Sequence, residues 1–218
     1  MHEPISEAAW MKQLRAAADP RRILRRFCQH YYYFSTRQVQ AFAGLFRLVS
    51  PVDSASLAIL GDVLHEELGR GHQERVHSVL FHRFATATGL ASADVTIEES
   101  AVAPGVKAYV AELFERFGNG PLEEALASYL FLESSAVLTY GPLLDLLRGF
   151  GFSDDELEFF KLHSVVEIEH ERSAREMTAR LGGNSSAQVR IEAQLSRMST
   201  LWAAFWDDIF QLARTGAG

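Results

Sequence analysis

Apolar residues recur at steps of three and four along most of the chain, and no segment alternates with the period of two that a half-buried strand requires. An early helix carries Cys28. Ser35-Thr36-Arg37-Gln38 reads as a capping box opening a helix with Val39, Phe42, Phe46 and Val49 inward. After Pro51 a helix is expected from about Ala55 to Leu68, loosened at Gly69-Arg70-Gly71 and resuming from His72 to about Thr88, with Gly89 as its stop. Residues 89–104 are the least regular stretch. Helices follow from Gly105 to Phe117 and from Pro121 to about Phe150, the latter bent at Gly141-Pro142. Ser153-Asp154-Asp155-Glu156 is a second capping box, starting a long helix that stops at Leu181-Gly182-Gly183. The last helix, from near Asn184, keeps Ile191, Leu195, Met198, Trp202, Phe205, Ile209 and Leu212 on one stripe, which serves a core or a homodimer interface equally well. With no repeat, low-complexity tract or linker, residues 1–218 are expected to form one all-α domain.

Composition changes this picture little. Hydrophobic residues make up 48% and charged residues 22%, ordinary for a globular protein. A net charge of −7 argues against nucleic-acid binding, which needs a surplus of Lys and Arg. Cys28 is the only cysteine, so no internal disulfide and no thiolate metal site is available. Residues from Met1 to Lys12 lack a secretory apolar run, and no stretch is expected to reach the roughly 20 apolar residues of a membrane span. A cytoplasmic protein is the expectation.

Chemistry enters where ionisable residues interrupt apolar stripes. His163, Glu167 and His170 follow steps of four and three, between Phe160 and Ala174, Met177 and Leu181. Leu162, Val165, Val166 and Ile168 nearby point to broad burial of this segment. Glu67, Glu74 and His77 fall on a stripe with Leu60, Leu64, Gly71, Phe81 and Phe84, and Glu133 stands among Leu126, Leu130 and Val137. A buried, unpaired carboxylate costs several kcal/mol, and no Lys or Arg lies on these stripes. Four glutamates balance two divalent cations, and three neutral imidazoles complete the ligand shells. Such a set suits non-haem iron or manganese better than structural zinc. Near the glycines, Glu66 competes with Glu67 and His72 with His77. His65 and His82 fit the surface or a supporting position, and Tyr31-Tyr32-Tyr33 fits packing better than a radical relay.

Glu67-x6-Glu74-x2-His77, Glu133 and His163-x3-Glu167-x2-His170 together resemble the haem-oxygenase-like di-iron oxidases, relatives of the thiaminase and pyrroloquinoline-quinone-synthase folds. Glu66-Glu67-Leu68-Gly69-Arg70-Gly71 and Leu80-Phe81-His82-Arg83-Phe84 also look like the family's text, and the resemblance runs from about Arg22 to Gly182. It implies a bundle of about seven core helices enclosing two irons. Members include an N-oxygenase that makes a nitrosourea, a fatty-acid decarboxylase that makes terminal alkenes, and enzymes that cleave or desaturate amino acids. Carried over, Glu67, His77, Glu133, His163, Glu167 and His170 would be the general ligands and Glu74 an additional carboxylate. Several members carry Asp where this chain has Glu167. In the family the second iron is often weakly held on a partly ordered helix, and Gly69 and Gly71 fit that.

The expectation is an oxidase with two Fe ions (Mn is the other candidate) that uses O2 as co-substrate. It would act on a small molecule, either an amino acid, an amine or a fatty-acid-like carboxylate, by N-oxygenation, desaturation or C–C cleavage. Electrons would come from an external reductant or from the substrate, since the chain has no flavin, haem or nucleotide motif. A ferritin-like ferroxidase is one rival, although Glu67 and Glu74 are too close to sit on separate antiparallel helices. A metal-free thiaminase-like or quinone-synthase-like enzyme is the other, with Cys28 its only thiol. Arg70, Arg75, Arg83, Lys161 and Arg172 are the candidate substrate anchors.

Overall fold

The computed structural model describes residues 9–183 and 185–215, with side chains through Gln211. The expected helix start at Asn184 and the side chain of Leu212 lie outside the described residues. Among those described there are eight α-helices and no strand: α1 (Ala9–Ala16), α2 (Pro20–Leu48), α3 (Ser54–Glu67), α4 (His77–Ala87), α5 (Pro104–Asn119), α6 (Leu122–Gly149), α7 (Glu158–Leu181) and α8 (Ser185–Thr215).

Helix starts follow local chemistry. Asp19 accepts from Arg22 N at 3.1 Å with Pro20 in the first turn of α2, and Asp53 accepts from Ser56 N at 3.2 Å at the start of α3. Ser153 and Glu156 form the expected reciprocal box, with Ser153 N donating to Glu156 at 2.7 Å, one short turn ahead of α7. Ser35–Gln38 is not a cap. It lies inside an unbroken 29-residue α2, where the Thr36 hydroxyl donates back to the Tyr32 carbonyl at 2.9 Å. A Thr36 hydroxyl satisfied by the preceding turn has no need to start a new helix.

α6 is the central element, packing most extensively on α7 and also on α5 and α8, while α2 contacts α3, α4, α5 and α8. Over its most apolar 18-residue window α6 reaches a mean hydropathy of 1.3, so this 28-residue helix is long and apolar enough to cross a membrane, contrary to expectation. Within the bundle 44% of that window is buried. Where α5 crosses α8, a Cβ on Gly105 would lie 2.5 Å from the Ala204 carbonyl oxygen, so only glycine permits this approach. On α8, Met198, Phe205 and Ile209 are buried as the stripe predicts, but Ile191, Leu195 and Trp202 are only half-buried. Trp206 and Phe210 join the core, stacking with Trp10 of α1 at 4.4 and 5.1 Å.

α7 is less widely buried than its composition implies. Phe160, His163, Glu167, His170, Ala174 and Met177 form one buried stripe, whereas Val165 and Ile168 are 68% and 63% exposed. α6, α4 and α3 cover one side of α7 and leave the other open.

Candidate metal centre

Four helices deliver six buried ligand-type side chains to one place. Glu67 ends α3, His77 begins α4, Glu133 lies mid-α6, and His163, Glu167 and His170 share α7. They form two triplets, Glu67/His77/His163 and Glu133/Glu167/His170, each with one donor atom per residue and all three atoms within 4.8 Å of one another. His77 Nδ1 lies 3.0 Å from Glu67 Oε2. His163 Nε2 is 3.9 Å from Glu67 Oε1 and 3.7 Å from Glu167 Oε1. His170 Nδ1 is 3.7 Å from both Glu133 Oε2 and Glu167 Oε2. The longer separations are too great for hydrogen bonds. They match donors arranged around an ion, since bonds of about 2.1 Å place two ligand atoms about 3–4 Å apart. Glu167 turns one oxygen to each triplet.

The imidazoles are oriented from behind. His163 Nδ1–H donates to the Phe159 carbonyl at 2.7 Å, leaving the Nε2 lone pair buried without a hydrogen-bond partner. Burial and the nearby His77 hold His163 neutral, with its pKa lowered to about 3. His170 Nε2–H donates to Glu66 Oε2 at 2.8 Å, which aims Nδ1 at Glu133 and Glu167. Arg70 in turn pairs with Glu66. Glu66, the alternative ligand to Glu67, thus stands behind a ligand position and orients it.

The carboxylates are held in unequal states. Burial, with the neighbouring Glu67 and Glu66, pushes Glu167 up to about 8. Burial and the neighbouring Glu167 push Glu133 up as well. Glu67 is also buried, yet the facing His77, His163 and His170 outweigh desolvation and bring it down to about 2. Without a cation these groups are poorly matched to their surroundings, and Glu167 Oε2 has no hydrogen bond. Buried carboxylates and lone pairs that lack partners fit a bound dication.

Glu74 does not join them. Its side chain is 72% exposed and lies 3.7 Å from the equally superficial His72. The helical phase linking Glu67 to Glu74 and His77 breaks at Gly69, Arg70 and Gly71, whose φ values of 71°, 54° and 85° are all left-handed. At Gly69 a Cβ would also meet the Arg75 carbonyl carbon at 2.6 Å. Two 3-10 turns replace the expected helix, and α4 starts only at His77. His65 is exposed, and His82 lies 3.3 Å from the Ser92 carbonyl and stacks edge-on against Tyr32.

A narrow cavity of about 30 Å³, room for about two waters, adjoins the carboxylates. Glu67, Glu133 and Glu167 line it with Tyr31, Phe34, Gln38, Ser135, Thr139, Tyr140 and Trp202. The Tyr31 and Tyr140 hydroxyls are 2.5 Å apart, so Tyr31 is a cavity residue as well as packing. No Lys or Arg is part of the lining. Arg70 pairs with Glu66, Arg83 with Glu158, Lys161 with Asp154, and Arg172 with Glu169 and Glu176, while Arg75 is exposed. Proximity along a helix does not bring them inward, because each faces away from the ligand stripe. Cys28 is fully buried with its thiol pushed up by burial, and it is not part of this lining.

Solved structures with the same fold include a Shewanella denitrificans domain of unknown function with a heme oxygenase-like fold, with TM-score 0.79, 16% identity, and coverage of 98% of this chain and 90% of that one. A TenA homolog from Pseudomonas syringae matches with TM-score 0.78 and 15% identity over 96% of this chain and 87% of its own. The chain thus has the expected haem-oxygenase-like fold, not a ferritin-like one. Among curated proteins it is 24% identical over 161 residues to 4-aminobenzoate synthase of Nitrosomonas europaea, covering 73% of this chain and 65% of that protein. It is 21% identical over 201 residues to 4-chloro-allylglycine synthase of Streptantibioticus cattleyicolor, covering 92% of this chain and 75% of that protein. The chain therefore spans just under two thirds of the first relative's length. The sequence pattern of the iron-containing redox enzymes matches residues 25–203, and the chain belongs to that family.

Proposed function

We propose that the two triplets hold a pair of iron ions and that the protein is an O2-dependent oxidase of a small, amino-acid-like molecule. The carrying observation is Glu167, whose two oxygens lie 3.7 Å from His163 of one triplet and 3.7 Å from His170 of the other. One carboxylate placed between two ligand sets is what a two-metal centre in a helical bundle requires. Glu67, His77 and His163 would hold one ion and Glu133, Glu167 and His170 the other, supplying an electron reservoir at which O2 is reduced. Relatives named for making 4-aminobenzoate and 4-chloro-allylglycine support an amino-acid-like substrate.

The protein's own part is positioning and exclusion. Phe34, Val39, Phe42, Val63, Leu132 and Ala136 keep bulk water from the carboxylates. Gln38 reaches Glu67 Oε2 at 3.5 Å, and the paired Tyr31 and Tyr140 hydroxyls offer a hydrogen-bonding edge to a bound molecule. Glu133 and Glu167, both pushed up by burial, must be ionised to ligate a cation, so loading releases acid.

The test is anaerobic loading with Fe(II), then mixing with O2 and a panel of free amino acids. The proposal expects O2 uptake beyond that of the same iron free in buffer, raised by at least one amino acid and abolished in His163→Ala. Uptake equal to the free-iron control under every condition would refute it. Continued iron uptake with no organic oxidation would favour a ferroxidase.

A further inference from the structure

The chain has three tryptophans, and they meet at one ring, Trp206. Trp206 stacks on Trp10 at 4.4 Å with 7° between the planes, and Trp202 stands edge-on to it at 5.3 Å. On its inner side Trp206 lies 6.2 Å from Tyr31. The Tyr31 hydroxyl is 2.5 Å from that of Tyr140, whose ring is 4.6 Å from the ring of His163. Tyr140, Tyr31, Trp206 and Trp10 thus form an unbroken series of oxidisable rings that starts beside a ligand position. It ends at Trp10, which is 6% exposed and lines a wide groove of about 740 Å³ between α1, α6 and α8.

Packing alone does not ask that these rings be oxidisable. Electron tunnelling falls off exponentially with distance, so several short steps between such rings outrun one long one. The stations differ in what they do with a proton. Nε1 of Trp206 is buried with no acceptor among the described residues. An oxidised Trp206 therefore keeps its proton, remains a strong oxidant and reclaims an electron from a neighbouring ring, so charge passes through it without being trapped. The tyrosine pair is built the other way. Each hydroxyl has the other as its partner, and both residues line the narrow cavity. A phenol that loses an electron there can pass its proton along that bond and into cavity water. Of the three consecutive tyrosines only Tyr31 belongs to the series. Tyr32 rests on Phe81 and His82, and the Arg37 guanidinium lies 3.6 Å over Tyr33, where it opposes further positive charge.

We propose that Tyr140, Tyr31, Trp206 and Trp10 are an internal electron relay, carrying electrons from an external one-electron reductant at the face of α1 and α8 to the ligand set and discharging oxidising equivalents that no substrate consumes. Its inner end rests on the redox function proposed above; conduction between the rings does not. The tyrosine pair gives one electron to the metal centre and one phenolic proton to cavity water. Trp206 returns an electron to the pair, which recovers its proton, and Trp10 refills Trp206. A thiol or ascorbate then refills Trp10, itself losing one electron and one proton.

Pulse radiolysis reads the same path in its downhill direction, from indole to phenol, with no metal present. Azidyl radicals, generated in azide buffer, oxidise tryptophan in the chelated protein. In wild type the visible band of the indole radical should convert to the near-UV tyrosyl band at a rate independent of protein concentration. Trp206→Phe should slow that conversion at least tenfold, and the double variant Tyr31→Phe, Tyr140→Phe should cut the tyrosyl yield at least fivefold. Tyr32→Phe and Tyr33→Phe should change either quantity by less than twofold. Far-UV circular dichroism checks that each variant is folded. In iron-loaded protein given O2 and no organic substrate, peptide mass mapping should find oxygen added at Trp10 of wild type. In Trp206→Phe it should move to Tyr31, Tyr140 or the ligand histidines, and ascorbate should suppress the damage in wild type only. An indole radical that decays solely by reaction between protein molecules, or conversion indifferent to Trp206→Phe, overturns the relay. A tyrosyl yield that survives the double variant and is lost in Tyr109→Phe overturns the tyrosine pair as its inner end. Because the radiolysis arm contains no metal, its failure leaves the oxidase proposal standing, and failure of iron-dependent O2 uptake leaves conduction between the rings standing.

Discussion

Replacing Glu167 by Gln should make the metal-free protein more stable, an unusual outcome for a fully buried polar residue. In the folded state burial and the neighbouring Glu67 raise this carboxyl to about 8, against an ordinary value of 4.5. Between those values the folded chain binds the proton that the unfolded chain has released, so stability falls as pH rises through the window. From 4.5 to pH 7, at about 1.4 kcal/mol per pH unit, the cost approaches about 3 kcal/mol. Glutamine has nearly the same shape and no charge to neutralise, so it escapes this term. For a chain of this length 1 kcal/mol moves Tm by about 2–4 °C, and Glu167→Gln should therefore melt several degrees above wild type at pH 7. The assay is thermal unfolding followed by circular dichroism after exhaustive chelation, at pH 5 and pH 7. The gap should shrink to under about 1 kcal/mol at pH 5, where both chains carry a neutral group. With Fe(II) added the order should reverse, since only the wild type has its full ligand set. A variant that melts at or below wild type at pH 7, with no pH dependence, would show that Glu167 is already stabilised by protein groups and is not waiting for a cation.

Glu66→Ala should weaken Fe(II) or Co(II) binding by about 10–100-fold by freeing the His170 ring, as read by competition with a chelator, while the far-UV spectrum stays unchanged. Glu74→Gln should alter that affinity by less than about threefold, because the side chain lies at the surface; a loss beyond tenfold would mean that residues 68–76 refold onto the metals. Gly105→Ala should cost about 1–3 kcal/mol in urea unfolding, since the added methyl meets the α8 backbone. Unchanged stability would show that the crossing of α5 and α8 can relax.

The helical period exposed the centre wherever a helix was intact. On α7 the steps from Phe160 to Met177 run uninterrupted, so His163, Glu167 and His170 could be read as one buried face, and Glu133 stood out on α6 in the same way. Between Glu67 and His77 the same arithmetic lost its basis. Gly69, Arg70 and Gly71 all take positive φ, the chain leaves the helix, and Glu74 turns to solvent. The glycines were visible; that Arg70 would share their conformation was not. Glu66 was legible only as a rival ligand, although its i,i+4 relation to Arg70 marked it as a side chain held from outside. The start imagined at Ser35 failed because hydroxyls inside a helix can satisfy themselves on the preceding turn. Neither cavity could be seen in the sequence, since Trp10, Leu130 and Trp206 meet only after α1, α6 and α8 pack.

Crystals grown anaerobically with Fe(II) and measured at the iron absorption edge test the central claim most directly. Two anomalous peaks are expected, one bounded by Glu67, His77 and His163 and the other by Glu133, Glu167 and His170, with Glu167 touching both. A single peak, or iron bound anywhere other than between α3, α4, α6 and α7, would contradict it.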